Sequence, residues 1–225
     1  MNFNTITQMP SANKARVLMV DDHEVLRAGL RNLLNEQPDL SVIADVGTLR
    51  EGREALVALK PDLLLLDLGL RDEFSLGWLP RLRQDSPATR IVVLSAHSEQ
   101  LYAERALRAG AQAYLMKTTP LEQLLQTVRR VLAGQMAVSP EQQNSMLQRS
   151  FGGAGQSKAA EMSARELEVL RHVAGGRSTA EIAQLLNRSI KTVESHKQAL
   201  KTKLGADTPA QLMRIAIAHF ESDSS

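Results

Sequence analysis

Along the first 134 residues, short unbroken apolar runs alternate with stretches of helical spacing. Arg16-Val-Leu-Met-Val20 is an apolar run of strand length, and the stretch after it places Val25, Leu26, Leu30, Leu33 and Leu34 on one helical side. Leu40 to Val46 predicts a second strand and Leu49 to Leu59 a second helix. Beyond Pro61, Leu63 to Leu66 is apolar at every position, as expected of a central parallel strand covered on both faces. Leu76 to Arg83, Glu99 to Arg108 and Leu121 to Leu132 have helical periodicity, whereas Ile91 to Leu94 and Ala113 to Met116 are strand-like. Five strand–helix units in succession predict an α/β fold: a doubly wound, five-stranded parallel sheet with right-handed crossovers, over residues 15–134.

The pattern changes across residues 135–160. Ser139-Pro140-Glu141-Gln142 sets an N-cap before a proline at the first helical position, which predicts a short helix to about Arg149. Phe151-Gly-Gly-Ala-Gly-Gln-Ser157 has the composition of a linker. Residues 161–220 predict a second, smaller all-α domain of four helices. Ser163-Ala-Arg-Glu166, Ser178-Thr-Ala-Glu181 and Thr208-Pro-Ala-Gln211 fit the capping box, and Ser189 caps the remaining helix. Gly175-Gly176 and Gly205 provide C-terminal stops.

Composition narrows the chemistry. Hydrophobic residues make up 43% of the chain and charged residues 23%, which excludes disorder as the default. Aromatics supply only 3%, so the core is built from Leu, Val, Ile and Ala. With no cysteine there is neither a disulfide nor a thiolate metal site. Met1 to Lys14 is polar, without the apolar core of a secretory signal, and no run approaches the roughly 20 apolar residues of a membrane span; a cytoplasmic protein is expected. The net charge of +2 is unevenly spread. Residues 15–134 hold 15 Lys and Arg against 16 Asp and Glu, and residues 161–220 hold 9 against 6, so the second half is the one suited to a polyanion.

Functional groups in an open parallel sheet collect outside the carboxyl ends of its strands. Asp21 and Asp22 follow the first predicted strand, Asp67 ends the third, Ser95 the fourth and Lys117 the fifth. Three carboxylates brought together repel, so either one is neutralised or a divalent cation sits among them. Hard oxygen ligands suit Mg2+, and Lys117 with the Ser95 hydroxyl would receive phosphoryl oxygens.

Val20-Asp21-Asp22-His23, Leu66-Asp67, Leu94-Ser95-Ala96 and Tyr114-Leu-Met-Lys117 resemble the signatures of response-regulator receiver domains over about residues 15–134. The resemblance implies that Asp67 is the phosphoacceptor and that the Mg2+ ligands are Asp22, Asp67 and the Gly69 carbonyl, with Asp21 holding the ion through water. It implies that Ser95 and Tyr114 form a switch pair and that Lys117 contacts the phosphoryl group. One departure stands out. The family's x-Met-Pro-x-x-x-Gly turn after the acceptor is replaced by Leu-Gly-Leu-Arg-Asp-Glu-Phe-Ser-Leu-Gly77, without the proline and two residues longer.

In the second half, rotation by 100° per residue from Val193 places Ile190, Val193, Lys197, Leu200 and Leu204 on the core side of one helix, with His196 at its edge. The opposite side carries Lys191, Ser195, Gln198 and Thr202, flanked by Glu194, a hydrogen-bonding face able to enter a major groove. A short helix over Thr179 to Leu186, joined through Asn187-Arg188-Ser189, gives the spacing of a helix-turn-helix. Met162-Ser-Ala-Arg-Glu-Leu-Glu-Val-Leu170, Ser178-Thr-Ala-Glu-Ile-Ala183, Lys191-Thr-Val-Glu-Ser-His196 and Lys203-Leu-Gly205 resemble the LuxR-type helix-turn-helix. Joined to a receiver, it makes the NarL/FixJ class of response regulators. Arg188, Lys197, Lys201 and Lys203 surround the outer face of the Ile190 to Leu204 helix and suit phosphates, and the resemblance implies base contacts by Glu194, Ser195 and Gln198, with Lys191 and Lys197 on or beside the backbone and Thr192 within the DNA-binding set. It implies a histidine kinase, double-stranded DNA and a second copy of the chain as partners, with RNA polymerase as a further one. Two other readings stand beside it. One is a phosphorylation-independent DNA binder that uses its receiver only to dimerise, motivated by the altered loop. The other is an aspartyl-phosphate phosphatase, disfavoured because Asp67-Leu68-Gly69 lacks the second carboxylate such enzymes use, so the chain is not expected to be an enzyme.

Overall fold

The computed structural model describes residues 14–70, 73–139, 162–186 and 188–221; the helix expected near Ser139 to Arg149 lies outside them. The apolar runs form β1 (Ala15–Val20), β2 (Leu40–Val46), β3 (Leu63–Leu66), β6 (Arg90–Ser95) and β7 (Ala113–Met116), all parallel, in the order β2-β1-β3-β6-β7. Helices α1 (Glu24–Asn35), α2 (Leu49–Leu59), α3 (Leu79–Asp85), α4 (Glu99–Arg108) and α5 (Leu121–Leu132) return the chain between and after them. The sheet order reverses at β1, and β3 is central and buried at all four positions, as its unbroken leucine run requires.

Alternate residues of each strand enter opposite apolar layers. Leu18, Val20, Leu64, Leu66, Ile91 and Val93 pack with α2, α3 and α4, and Val17, Met19, Leu63, Leu65, Val92 and Leu94 pack with α1 and α5. The helix expected over Leu76 to Arg83 is a 3-10 turn, Ser75–Trp78, followed by α3. Pro80 sits in the first turn of α3, where its missing N–H costs nothing, and so marks where α-helical geometry begins. Two strands too short to carry a periodic signal, β4 (Gly69–Leu70) and β5 (Glu73–Phe74), pair antiparallel as a hairpin directly after Asp67. After α5 the chain turns back, the Ala137 amide donates to the Gln112 carbonyl at 2.9 Å, and Ala137 bridges Ala113 at the edge of β7.

The second half forms α6 (Ala164–Ala174), α7 (Thr179–Leu185), α8 (Ile190–Leu204) and α9 (Pro209–Glu221). Ser163–Glu166 and Ser178–Glu181 make complete capping boxes. The third differs: Thr208 accepts from the Gln211 amide, but Gln211 reaches back to the Asp207 amide instead of that of Thr208. Gly205 ends α8 at φ 69°, the left-handed position where a Cβ is penalised. Val193, Leu200, Leu167, Leu170, Ile182, Leu212 and Ala216 form the core of these four helices. Ile190, expected on the core side, is 52% exposed, because it starts α8 beyond the packed helices.

The fit of α2 on β1 yields a test. Glycine inside an exposed helix costs about 0.5–1 kcal/mol relative to alanine, but a Cβ on Gly52 would stand 2.5 Å from Cγ2 of Val20. The clash dominates, so Gly52→Ala is expected to lower stability by about 1–3 kcal/mol. Combining it with Val20→Ala should recover part of that loss relative to the sum of the single effects, as read by urea unfolding in a double-mutant cycle.

Candidate functional site

Backbone register fixes the pocket before any side chain is considered. The Asp21 amide donates to the Val46 carbonyl at 3.1 Å, that of Asp67 to Val20 at 2.9 Å and that of Lys117 to Ser95 at 2.7 Å. Each ladder thus continues one step past its strand and delivers a polar residue to the same end of the sheet. Asp21 and Asp67 are buried and Ser95 is fully so. Between them the Lys117 ammonium lies 2.6 Å from Oδ2 of Asp21 and 2.7 Å from Oδ2 of Asp67. Burial drives the Asp67 carboxyl upward from its usual range, with the Lys117 bond opposing in part. Burial alone would depress Lys117, but its bonds to Asp21 and Asp67 outweigh it and hold the ammonium above its ordinary value.

Asp21, Asp22, His23 and Asp67 each present one ligand atom, all within 4.8 Å of one another. Three carboxylates around a site that already draws in an ammonium fit a hard divalent cation such as Mg2+. Gly69 donates its amide to Oδ1 of Asp67 at 3.0 Å, which holds the first residue of the hairpin beside the acceptor carboxylate. The pocket therefore brings together Asp21, Asp22, Asp67, Gly69, Ser95 and Lys117. It also gathers His23, absent from the candidates, whose Nδ1 is 3.1 Å from Asp21, 3.0 Å from Asp22 and 3.2 Å from the Lys117 nitrogen. Arg27 is a second addition: it donates to the Asp21 carbonyl and to Asp45.

Tyr114 is buried on β7 and donates its hydroxyl to the His97 carbonyl at 2.6 Å, while the His97 amide donates to Oγ of Ser95 at 3.1 Å. Burial raises the Tyr114 phenol well above its usual range, with a hydrogen bond to Ser95 opposing. Ser95 and Tyr114 thus meet the same residue from two sides. Burial first, then the charges of Arg171 and Lys117, pull the His97 imidazole down to about 4, so its ring is neutral at physiological pH. His97 was not among the candidates, although its place two residues past the end of β6, on the pocket side, was the available signal.

On α8, Lys191, Glu194, Ser195 and Gln198 are exposed, as is Arg188 in the preceding turn. Ser195 donates to the Lys191 carbonyl at 3.0 Å, and Thr192 supports the N-cap through its amide and hydroxyl on Ser189. Lys197 is half-buried and donates to Oγ1 of Thr179 at 3.1 Å, which ties α8 to α7. Lys201 is half-buried in the last turn. Among the described residues no helix is long and apolar enough to cross a membrane.

The response regulator receiver domain model matches residues 17–129, and that of the bacterial regulatory proteins of the luxR family matches residues 160–216. The oxygen regulatory protein NreC of Staphylococcus aureus (strain JH9) is 34% identical over 209 residues, spanning 90% of this chain and 96% of its own. RcsB from Salmonella enterica serovar Typhimurium, solved bound to promoter rprA in the presence of phosphomimetic BeF3−, superposes with a TM-score of 0.69 at 25% identity, over 92% of this chain and 99% of that one. A LuxR-family response regulator from Aurantimonas sp. SI85-9A1 gives a TM-score of 0.56 at 29% identity, over 61% of this chain and 98% of its own. Fold, pocket and matches together define a two-component response regulator with a receiver and a LuxR-type DNA-binding domain. The chain belongs to the NarL/FixJ class of that family.

Lys117→Met would leave Asp21 and Asp67 buried without their counter-charge. The receiver is expected to lose about 3–5 kcal/mol at pH 7 in the presence of a chelator. The Asp67 carboxyl, which burial already raises, would lose the opposing Lys117 bond and lie further above its unfolded value, so the deficit should shrink as pH falls toward 5. Urea unfolding followed by the single tryptophan, Trp78, at both pH values measures this.

Proposed function

We propose that the chain is a phosphorylation-controlled transcription regulator in which Asp67 accepts a phosphoryl group from a histidine kinase, promoting dimerisation and operator binding. Residues 15–134 form the receiver, 135–160 the connection and 161–220 the DNA-binding domain. The observation that carries the reading is the Lys117 ammonium held between Asp21 and Asp67, whose ligand atoms lie with that of Asp22 within 4.8 Å of one another. An Oδ atom of Asp67 attacks the phosphorus of a phosphohistidine, the O–P bond of an acyl phosphate forms, the N–P bond breaks, and the imidazole leaves with its electron pair and takes up a proton. Lys117 then contacts the phosphoryl oxygens, and Ser95 donates its hydroxyl to one of them as Tyr114 adjusts beside it. Asp22, Asp67 and the Gly69 carbonyl, with Asp21 through water, would hold Mg2+, which would supply charge neutralisation to those oxygens when bound.

Glu194, Ser195 and Gln198 read base edges in the major groove, and Arg188, Lys191, Thr192, Lys197 and Lys201 position the helix on the backbone. Lys197 also braces α7. Two copies on half-sites about 34–36 Å apart, one helical turn, follow from the class of reader. Promoter binding by the RcsB relative in the presence of BeF3− supports this reading, as does the exposure of the α8 face. The protein works in the cytoplasm, and RNA polymerase is its further partner at promoters.

Asp67→Asn is expected to abolish Mg2+-dependent incorporation of label from acetyl phosphate; persistent labelling would place the acceptor elsewhere. On a site recovered by selection from random duplexes, Gln198→Ala should cost about 1–3 kcal/mol and relax preference at one base pair. Lys191→Ala should instead weaken all sequences alike and reduce the slope of log affinity against log salt by about one. Fluorescence-anisotropy titrations across a salt series separate the two.

A further inference from the structure

Two side chains on α8 have no part in the packing of the four helices. Glu194 is exposed, and among the described residues its carboxylate has neither an ion-pair nor a hydrogen-bond partner. Two lysines that could neutralise it are committed elsewhere, Lys197 to Oγ1 of Thr179 at 3.1 Å and Lys203 to Oε2 of Glu166 at 2.7 Å. Ile190, four residues earlier, is 52% exposed. A lone aliphatic side chain at a surface carries no message by itself. Its place does.

The turn before α8 holds both residues firmly. The Arg188 amide donates to the Ala183 carbonyl at 2.8 Å, and Oγ of Ser189 accepts from the Thr192 amide at 3.0 Å. Val193 and Leu200 are fully buried, which fixes the rotation of the helix about its axis. With 3.6 residues per turn, Ile190 and Glu194 then share one flank, about 40° apart in rotation and about 6 Å apart along the axis. The exposed Ser195 and Gln198 lie on the adjoining outer side. An axial gap of that size corresponds to one to two base steps of about 3.4 Å. Branching at Cβ leaves Ile190 little χ1 freedom to lose on contact.

A carboxylate turned toward a polyanion repels it at every sequence. Only a base edge that offers a hydrogen-bond donor offsets this. In the major groove cytosine presents its N4 amino group, guanine presents two acceptors, and adenine sets an acceptor beside its amino group. Cytosine is therefore the base that a lone carboxylate favours. Thymine presents a 5-methyl group, the apolar feature of the groove that an aliphatic side chain can cover.

We infer that Ile190 and Glu194 form a pyrimidine reader: Glu194 accepts from the N4 amino group of a cytosine, and Ile190 covers the 5-methyl group of a thymine within two steps of it. This deepens the reading of α8 as the groove helix and rests on it. Glu194 acts in two directions, lowering affinity for DNA at large and raising it at cytosine. It widens the ratio between operator and bulk DNA more than it strengthens binding.

Fluorescence-anisotropy titrations of the full chain test this on the duplex recovered by selection and on a random-sequence duplex. Each cytosine is replaced in turn by pyrimidin-2-one, which lacks the amino group, and each thymine by uracil, which lacks the methyl group. At one cytosine the replacement should weaken the parent chain about tenfold and leave Glu194→Ala unaffected. At one thymine within two steps, uracil should weaken the parent chain about fourfold and leave Ile190→Ala unaffected. On the random duplex, Glu194→Ala should bind about threefold tighter, and Glu194→Gln should match it while keeping part of the cytosine response. Ile190→Ala should change affinity for the random duplex by less than about twofold. Absence of either sensitive base would overturn the pair, as would Glu194→Ala binding random DNA no tighter, or Ile190→Ala losing affinity equally on both duplexes. If Gln198→Ala also left every base preference intact, the reading of α8 as the groove helix would itself have failed; if Gln198→Ala relaxed one preference, the failure would belong to the pair alone.

Discussion

The confinement of like charge at one end of a parallel sheet governs this molecule. Parallel pairing aligns strand ends, and the residues just beyond β1, β3 and β7 are drawn over the sheet by their own ladder bonds. Two buried carboxylates and a third beside them cannot share that space uncompensated, so an ammonium from β7 spans the mouth of the pocket. β1 contributes Asp21 and Asp22 to this balance, β3 contributes Asp67 and β7 contributes Lys117, and a change of charge on any of them is felt by the others. A phosphoryl group on Asp67 would alter the balance at its centre, where burial has already made ionisation costly.

The consequences spread through the groups that touch the balance but do not belong to it. Ser95 and Tyr114 grip His97 by its backbone, while Ser75 grips the backbone of Asp67. These bonds tie the pocket to an aromatic surface in which Phe74, His97 and Tyr102 pack ring against ring.

The sheet was legible because its strands are unbroken apolar runs, Leu63–Leu66 above all, and each run carries its polar terminus with it. The four helices of the second half announced themselves through caps, a local code satisfied within four residues, and the buried Val193 and Leu200 lie on the helical face that their spacing marks. What stayed hidden was non-local or too short. A hairpin of two-residue strands has no period. Phe74 and Glu168 are 94 residues apart and His97 and Arg171 are 74 apart, so nothing in their neighbourhoods records the pairing. Arg171 reads as a solvated helix position, and Glu168 as an ordinary surface acid, until the receiver is placed against them. His23 was within a recognised motif, but its role as a bridge between Asp21, Asp22 and Lys117 depends on a ring orientation that spacing does not encode.

The return of the chain to the edge of the sheet after α5 sets the geometry of the leash between the two halves. Ala137 is pinned beside β7, and Ser139 is hydrogen-bonded to Glu99 at the start of α4, so the leash is anchored on the same flank as His97 and Tyr102. Residues 140–161 number 22, a contour length of at most about 75 Å, roughly twice the separation of neighbouring turns of duplex that two readers would occupy. That bound leaves the contacts between the domains, Phe74 with Glu168 and His97 with Arg171, as the described restraint on their placement.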